Sequence, residues 1–230
     1  MRLGTFFGID MNKTIWMCWT QGVEKALVSE QRKACLRGWE ALNPDWNVRL
    51  ISEEDACELL PEYKSVRSRI GHHTPQKRTN LVRTLLLQHY GGVWSDVDVM
   101  PLQPLDNWLT SQVVKDGMFA FQFEGLFEHE RIIANWFLSS HGKGQEVYRL
   151  WSEVYTHSLL SPCLGTYFRH HRDFYDLYRE HHAIKECLDS INVQKVSDNI
   201  YVPLEHKKAV VCKKPKFSVE EYLKYIEEKI

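Results

Sequence analysis

Two aspartates separated by one residue, Asp96 and Asp98, are the residues whose type and spacing most directly suggest chemistry. In a strand, residues two apart project to the same face, so both carboxylates would point together while Val97 packs into the core. Adjacent carboxylates repel each other unless a cation lies between them, and Mg²⁺ and Mn²⁺ both bind oxygen ligands. We therefore expect the pair to hold a divalent metal that keeps coordination positions for substrate phosphates. Because this spacing is common at exposed strand ends, the surrounding residues decide its meaning.

The residues before the pair predict a helix that turns directly back onto the aspartates. The helical pattern runs from about Pro75 to Tyr90, and Gly91-Gly92 ends it. Asn80 and Arg83 are three residues apart and therefore lie on one helical face. An amide and a guanidinium would thus join the two carboxylates, groups that suit the hydroxyls and phosphates of a nucleotide sugar. In the alternative interpretation, Arg83 forms a structural salt bridge with one aspartate.

The apolar patterns along the chain predict an α/β fold, with a mostly parallel sheet flanked by helices and a more helical C-terminal half. Predicted strands cover residues 13–19, 46–51, 93–99, 118–123 and 210–214. Predicted helices cover residues 28–42, 75–90, 132–138, 146–159, 167–187 and 219–230, with a short helix capped by Ser52. The basic segment 62–74 is expected to be exposed and able to move over a site. Residues 1–230 are interpreted as one domain, with a donor part at 13–110 and an acceptor part at 111–230.

Composition excludes several classes of protein. A formal net charge of −1 and scattered basic residues argue against nucleic acid as the main partner. The six cysteines form no C-x-x-C pair and are interpreted as reduced thiols. The apolar runs are much shorter than the roughly 20 residues that a membrane-spanning helix needs, and Met1–Asp10 lacks the pattern of a secretory signal. These features predict a cytoplasmic protein and leave peripheral membrane association open.

The segment around the aspartates resembles a known signature. Asn80-Leu-Val-Arg83 followed by Gly91-Gly92-Val-Trp-Ser-Asp96-Val-Asp98 is similar to the D-x-x-R…G-G-x-Y-x-D-x-D pattern of GT-A-fold glycosyltransferases. Among these, it resembles the capsular polysaccharide synthesis proteins and their relatives, the Och1-type mannosyltransferases and the glucosylating clostridial toxins. Ile15–Gly22 and Asn43–Trp46 extend the similarity, which covers about residues 13–110.

The resemblance implies a hexosyltransferase that uses a nucleotide sugar, expected to be a UDP-sugar, and a glycan acceptor such as a capsular or surface polysaccharide. It implies that Asp98 binds Mn²⁺ or Mg²⁺ directly and that Asp96 contacts both the metal and the donor. Arg83 and Asn80 would hold the sugar hydroxyls. Trp19 would lie against the nucleobase, and Trp94, on the same side of the strand as Asp96, would complete the donor pocket. The family usually has Asp where this chain has Asn80, so a weakened or non-catalytic relative is an alternative.

Several further residues are candidates for the remaining roles. His206 could supply a third contact to the metal or to phosphate, and Glu124 could act as a base. The resemblance suggests acceptor contacts at Asn135–Phe137 and Tyr167-Phe168, although aromatic residues at helical spacing more often pack in a core. The lack of a compelling base, together with the resemblance to retaining relatives, favours retention of configuration. A metal-dependent phosphohydrolase and a sugar-binding module without catalysis are the competing functions.

Overall fold

A sheet with the strand order β2-β1-β3-β6-β5 lies at the centre of the molecule. The structure is a computed structural model that describes residues 12–109, 117–127, 131–162, 167–189, 195–204 and 208–230. The described strands are β1 (Thr14–Cys18), β2 (Asn47–Ile51), β3 (Gly92–Ser95), β4 (Met100–Pro101), β5 (Met118–Phe127), β6 (Arg131–Ser140) and β7 (Val211–Cys212). β1 pairs in parallel with β2 and β3, whereas β6 is antiparallel to β3 and β5. Within this sheet all strands except β6 run in one direction, which confirms the predicted mostly parallel arrangement.

Helices pack against this sheet and against one another. The described helices are α1 (Val23–Ala26), α2 (Glu30–Leu42), α3 (Glu53–Leu59), α4 (Pro61–Ile70), α5 (Pro75–His89), α6 (Lys143–Leu160), α7 (Arg169–Glu180), α8 (His182–Asp189), α9 (Ser197–Ile200) and α10 (Val219–Glu227). α5 contacts β1, β3, β6 and α6, and α2 contacts β2, β4 and α10. The predicted α/β class is therefore confirmed. No helix in the described part of the chain is long and apolar enough to cross a bilayer.

Local sequence signals fix both ends of α5, the helix that leads into the aspartates. Thr74 caps its N-terminus by accepting a hydrogen bond from the Lys77 backbone N–H, and Pro75 occupies the first turn. At the other end, Gly91 and Gly92 have φ of 63° and 84°, a region that favours glycine. A Cβ on Gly92 would lie 2.5 Å from the Thr14 carbonyl oxygen. Glycine there lets β3 lie directly beside β1.

Two predicted segments away from the aspartates differ from the structure. Residues 132–138 form part of strand β6, not a helix, and pair with β3 and β5. A short apolar run fits a buried strand as well as a buried helix, and the strands on both sides of β6 decide between them. The basic segment 62–74 is largely exposed, as expected, but it is anchored to the core. It contains α4, whose Tyr63 and Ile70 are fully buried and whose Arg67 forms an ion pair with Glu53.

A small second sheet brings the C-terminal part of the chain back to the aspartates. β4 and β7 pair antiparallel, with Met100 opposite Cys212. The Tyr222 hydroxyl of α10 donates to the Pro101 carbonyl at 2.8 Å and so fixes β4 from behind. Asp98 lies two residues before β4, and Lys213 directly follows β7. The pairing therefore places these two residues side by side.

The cysteines behave as predicted where the structure describes them. Cys18, Cys35, Cys57, Cys187 and Cys212 are reduced thiols in the structure. Cys163 lies outside the described residues. Burial, reinforced by the negative charge of Glu53, raises the pKa of Cys18 to about 12. This thiol therefore stays protonated at neutral pH.

Candidate metal and donor site

A cavity of 640 Å³ opens where β1 and β3 end. Open α/β sheets characteristically bind ligands at the carboxyl ends of their strands. The cavity wall combines the end of β1, one face of α5, the turn after β3, the middle of β6, the start of α7 and the residues after β7. Its polar and charged lining residues include Thr79, Asn80, Arg83, Asp96, Asp98, Arg131, Asn135, His171 and Lys213.

The two aspartates lie in a turn and not in a strand. β3 ends at Ser95, the Asp96 backbone N–H donates to the Trp136 carbonyl at 2.9 Å, and the Val99 N–H donates back to the Asp96 carbonyl at 3.1 Å. The expected strand geometry is therefore wrong for Asp96 and Asp98, although Val97 is buried as predicted, with 8% of its surface exposed. The turn nevertheless directs both carboxylates to one point. Asp98 is the more open of the two, with 46% of its side chain exposed against 26% for Asp96.

That point is occupied by the ammonium group of Lys213. Its Nζ lies 2.9 Å from Asp96 Oδ2 and also donates to Asp98 Oδ1. Burial alone would lower the pKa of Lys213, but the charges of Asp96 and Asp98 raise it above its ordinary value. Sequence reasoning missed this residue. The Lys213-Lys214 pair lies at the end of the last predicted strand, 210–214, but nothing local connects it to aspartates more than a hundred positions earlier.

The second oxygen of Asp96 is held from the other side. Trp94 Nε1 donates to Asp96 Oδ1 at 3.0 Å, and the Arg83 guanidinium lies 3.4 Å from the same oxygen. Burial would raise the pKa of Asp96, but the charges of Lys213 and Arg83 and the hydrogen bonds from Lys213 and Trp94 lower it. Asp96 is therefore an ionised carboxylate in a fixed orientation.

Arg83 is fixed from three directions on the inner wall of the cavity. It is 5% exposed, its guanidinium carbon lies 5.0 Å from the centre of the Trp94 ring, and it donates to the Asn135 carbonyl. Burial lowers the pKa of Arg83, and the charge of Asp96 opposes this shift. The salt bridge of the alternative interpretation, between Arg83 and Asp96, is thus present in the structure. The same guanidinium also lines the cavity.

Asn80 and Trp19 lie at the same cavity as Arg83. Asn80 is 8% exposed, and its Oδ1 accepts from Asn135 Nδ2 at 3.4 Å. Trp19 follows β1, and the Arg32 guanidinium covers one face of its ring at 4.5 Å from the ring centre. The Trp19 indole N–H finds no hydrogen-bond partner among the described side chains and backbone. The structure thus brings the amide, the aromatic ring, the guanidinium and both carboxylates to one cavity.

Comparison with known proteins identifies the family. The profile of the family described as "Capsular polysaccharide synthesis protein" matches residues 8–207. This chain belongs to that family. The probable glycosyltransferase FCK3 of Fusarium pseudograminearum (strain CS3096) is 24% identical over 160 residues, which cover 65% of this chain and 40% of that protein. The initiation-specific alpha-1,6-mannosyltransferase of Candida albicans is 28% identical over 105 residues, which cover 43% of this chain and 27% of that protein. The match therefore spans less than half the length of each of these two relatives.

A solved structure shares the fold of this family member. It is a glycosyltransferase involved in the glycosylation of the major capsid of PBCV-1, with a TM-score of 0.51 and 12% identity. The match covers 94% of this chain and 98% of that one. At this identity the likeness shows the fold alone. The predicted resemblance to the capsular polysaccharide synthesis proteins and to the initiating mannosyltransferases is confirmed.

Trp94 does not lie where the predicted donor contact requires. In this capsular-synthesis family member it is 1% exposed and is not part of the cavity wall. Its ring lies under Arg83, and its N–H points at Asp96. A tryptophan on a strand that is covered on both faces is buried, whatever its neighbours bind. We correct its role from contacting the donor to orienting Arg83 and Asp96.

The acceptor contacts expected from the family are divided between the cavity and the core. Asn135, Trp136, Tyr167 and Phe168 line the cavity, whereas Phe137 is fully buried. His171, which sequence reasoning did not single out, lies beside them. Burial, with the charges of Arg83 and Arg131, lowers its pKa to about 3. His171 is therefore neutral at physiological pH and able to accept or donate a hydrogen bond.

The carboxylate pair fits a divalent cation. Oxygens of Asp96 and Asp98 already reach one cationic nitrogen, so they can reach one metal ion in the same way. Within the described residues no group of three or more His, Cys, Asp or Glu side chains gathers around a common point. A metal held by this pair would therefore keep positions for phosphate oxygens and water, as Mg²⁺ sites commonly do. The candidate ligand His206 and the side chain of the candidate base Glu124 lie outside the described residues.

Proposed function

We propose that this chain is a metal-dependent glycosyltransferase that moves a hexose from a nucleotide sugar, a UDP-sugar, to a glycan acceptor such as a capsular or surface polysaccharide. The convergence of Asp96 and Asp98 on one cationic point, inside a cavity that Arg83 and Asn80 also line, carries the proposal. Membership of the capsular polysaccharide synthesis family and the glycosyltransferase names of the relatives support it. Site residues at the ends of parallel strands are consistent with it.

The donor would extend along the cavity from Trp19 to Arg83. Trp19, which is partly buried and lines the cavity, offers an aromatic ring on which a nucleobase would stack. The diphosphate would lie at Asp96 and Asp98 through Mn²⁺ or Mg²⁺, close to Lys213. The hexose would then lie over α5, where the Arg83 guanidinium and the Asn80 amide can donate to its hydroxyls. The acceptor would enter past Trp136 and Phe168, on the β6 side.

Catalysis in this proposal depends on charge at the leaving group. A bound divalent metal would supply Lewis acidity toward the departing diphosphate. Asp96 and Asp98 hold that charge in place, while Arg83 adds a fixed cation and its partners Trp94 and Asn135 keep it oriented. Among the described residues of the cavity wall, Asp96 and Asp98 are the only carboxylates. Retention of configuration at the anomeric carbon needs no further carboxylate among these described residues, and we propose that outcome; the side chain of the candidate base Glu124 lies outside the described residues.

A screen of nucleotide sugars by thermal unfolding tests this function. In saturating Mn²⁺ we expect one UDP-sugar to raise the Tm by about 5–10 °C, since a ligand at 100 times its Kd adds about 2.7 kcal/mol of stability. A chelator should remove the shift. Release of UDP during incubation would separate an enzyme from a sugar-binding module, and release of phosphate from p-nitrophenyl phosphate would favour a phosphohydrolase. If no nucleotide sugar stabilises the protein in Mn²⁺, the transferase proposal must be abandoned.

Replacing Arg83 with lysine tests the donor side of the cavity. Lysine keeps the charge but cannot lie flat on Trp94 while it donates to both Asp96 and the Asn135 carbonyl. We expect kcat/KM for the donor to fall about 10- to 100-fold, the loss of one charged hydrogen bond. Arg37→Lys, on the exposed face of α2, is the matched control. Equal donor kinetics in the two variants would remove Arg83 from the donor site.

A further inference from the structure

Lys213 is a buried cation at the point where the proposed function requires a metal ion. Its side chain is 15% exposed, and both of its carboxylate partners face the cavity. Lys214, the next residue, also lines the cavity, but it donates to the Tyr201 hydroxyl at 2.9 Å and not to the aspartates. Only the first of these neighbouring lysines therefore serves the aspartates. The β4–β7 pairing, together with Tyr222 behind it, fixes that choice.

An ammonium group and a divalent cation cannot occupy this point together. Both would need Asp96 Oδ2 and Asp98 Oδ1, and like charges a few ångströms apart repel strongly in a partly buried site. Without a cation, however, the two carboxylates would repel each other in the same way. Lys213 therefore offsets one of the two negative charges whenever no metal is bound, and a metal must displace it.

We propose that Lys213 is a built-in counter-ion that a divalent metal displaces, so that metal binding is weak until a diphosphate receives the displaced ammonium. This inference rests on the proposed function. Phosphate oxygens on the metal would lie within reach of a lysine that has moved out of the carboxylate pair. These oxygens would accept hydrogen bonds from the ammonium in place of the Asp96 and Asp98 carboxylates. Metal and diphosphate would then each strengthen the binding of the other, by the same factor.

Mn²⁺ binding measured by electron paramagnetic resonance of the free ion tests this proposal without any turnover. Lys213→Met should bind Mn²⁺ alone about tenfold more tightly than the wild type, because the internal competitor is gone. UDP, the probe for the diphosphate, should strengthen Mn²⁺ binding strongly in the wild type and much less in Lys213→Met. The complex that Mn²⁺ and UDP form in solution is measured separately and subtracted. Lys213→Gln, which keeps a hydrogen-bond donor but loses the charge, should behave like Lys213→Met.

Lys216→Met is the matched control, since Lys216 is exposed and lies outside the cavity wall. Its Mn²⁺ affinity should equal that of the wild type. Unchanged or weaker Mn²⁺ binding in a folded Lys213→Met or Lys213→Gln protein, while Asp98→Ala still loses the metal, would overturn the counter-ion proposal alone. If Asp98→Ala and the wild type bind Mn²⁺ equally, the carboxylates are not the metal site, and both the counter-ion proposal and the proposed function fall.

Discussion

Replacing Asp98 with alanine is expected to lower kcat/KM for sugar transfer about 1000-fold or more, the loss of roughly 4 kcal/mol of transition-state stabilisation. Asp98 supplies one of the two carboxylates that converge at the proposed metal point. The remaining carboxylate, Asp96, would keep its contacts with Lys213, Trp94 and Arg83. One aspartate facing a lysine is a neutral pair, so it no longer attracts a divalent ion.

The same substitution should leave the fold intact, because nearly half of the Asp98 side chain is exposed. Thermal unfolding and circular dichroism check this, and donor hydrolysis in Mn²⁺ measures the activity. Asp45→Ala is the control, since Asp45 is an exposed aspartate outside the cavity wall. Its activity should match that of the wild type. A folded Asp98→Ala protein that keeps a tenth of the wild-type rate would show that this carboxylate does not hold a required metal.

The sequence predicts best what local signals encode. The helix that carries Asn80 and Arg83 begins at a Thr-Pro cap and ends at two glycines, and the structure follows both signals. Ser52 likewise caps α3, in a reciprocal pair of hydrogen bonds with Asp55. Such caps involve residues a few positions apart, so a single sequence contains all their information.

The geometry of Asp96 and Asp98 shows a limit of predicting strands from alternating side chains. Alternation predicts a strand through Val99, yet β3 ends at Ser95. The turn that follows is held by partners elsewhere in the chain: the Trp136 carbonyl accepts from the Asp96 N–H, and the Trp39 indole donates to the Val99 carbonyl at 3.0 Å. These partners come from β6 and α2, so no local pattern reveals the turn.

Lys213 is the clearest case of a site residue that sequence reasoning could not find. It reaches the aspartates only because a two-residue strand, β7, pairs with an equally short β4. The sequence predicts a strand at 210–214 but not its pairing with the two-residue β4. The family resemblance that located Asp96 and Asp98 covers only about residues 13–110. The strand β6 was missed for a related reason, since its identity depends on the neighbours on both sides. Charge pairing across distant segments becomes visible only in three dimensions.

Glu53 anchors α5, the helix that carries Asn80 and Arg83, and its replacement by glutamine should cause a large loss of stability. Glu53 is 4% exposed and accepts hydrogen bonds from Arg78, Arg67 and Tyr63 at 2.5–2.7 Å. Arg78 lies in the first turns of α5, close to Asn80. Glutamine leaves two guanidinium groups without their carboxylate, and breaking a buried ion pair costs about 3 kcal/mol. We expect a Tm about 6–12 °C lower in thermal unfolding.

The pH dependence of this effect tests its electrostatic origin. Burial would raise the pKa of Glu53, but the hydrogen bonds from Arg78, Tyr63 and Arg67 lower it below its ordinary value of 4.5. Its contribution to the free energy of unfolding is therefore complete above the pKa of an unfolded glutamate and is lost as the pH falls through the lower folded pKa. The Tm difference between wild type and Glu53→Gln should be largest near neutral pH and shrink in acid. Glu54→Gln, on the exposed side of the same helix, is the control, and its Tm should match that of the wild type. A Tm of Glu53→Gln within about 1 °C of that control would mean that the buried ion pair contributes little to the free energy of unfolding.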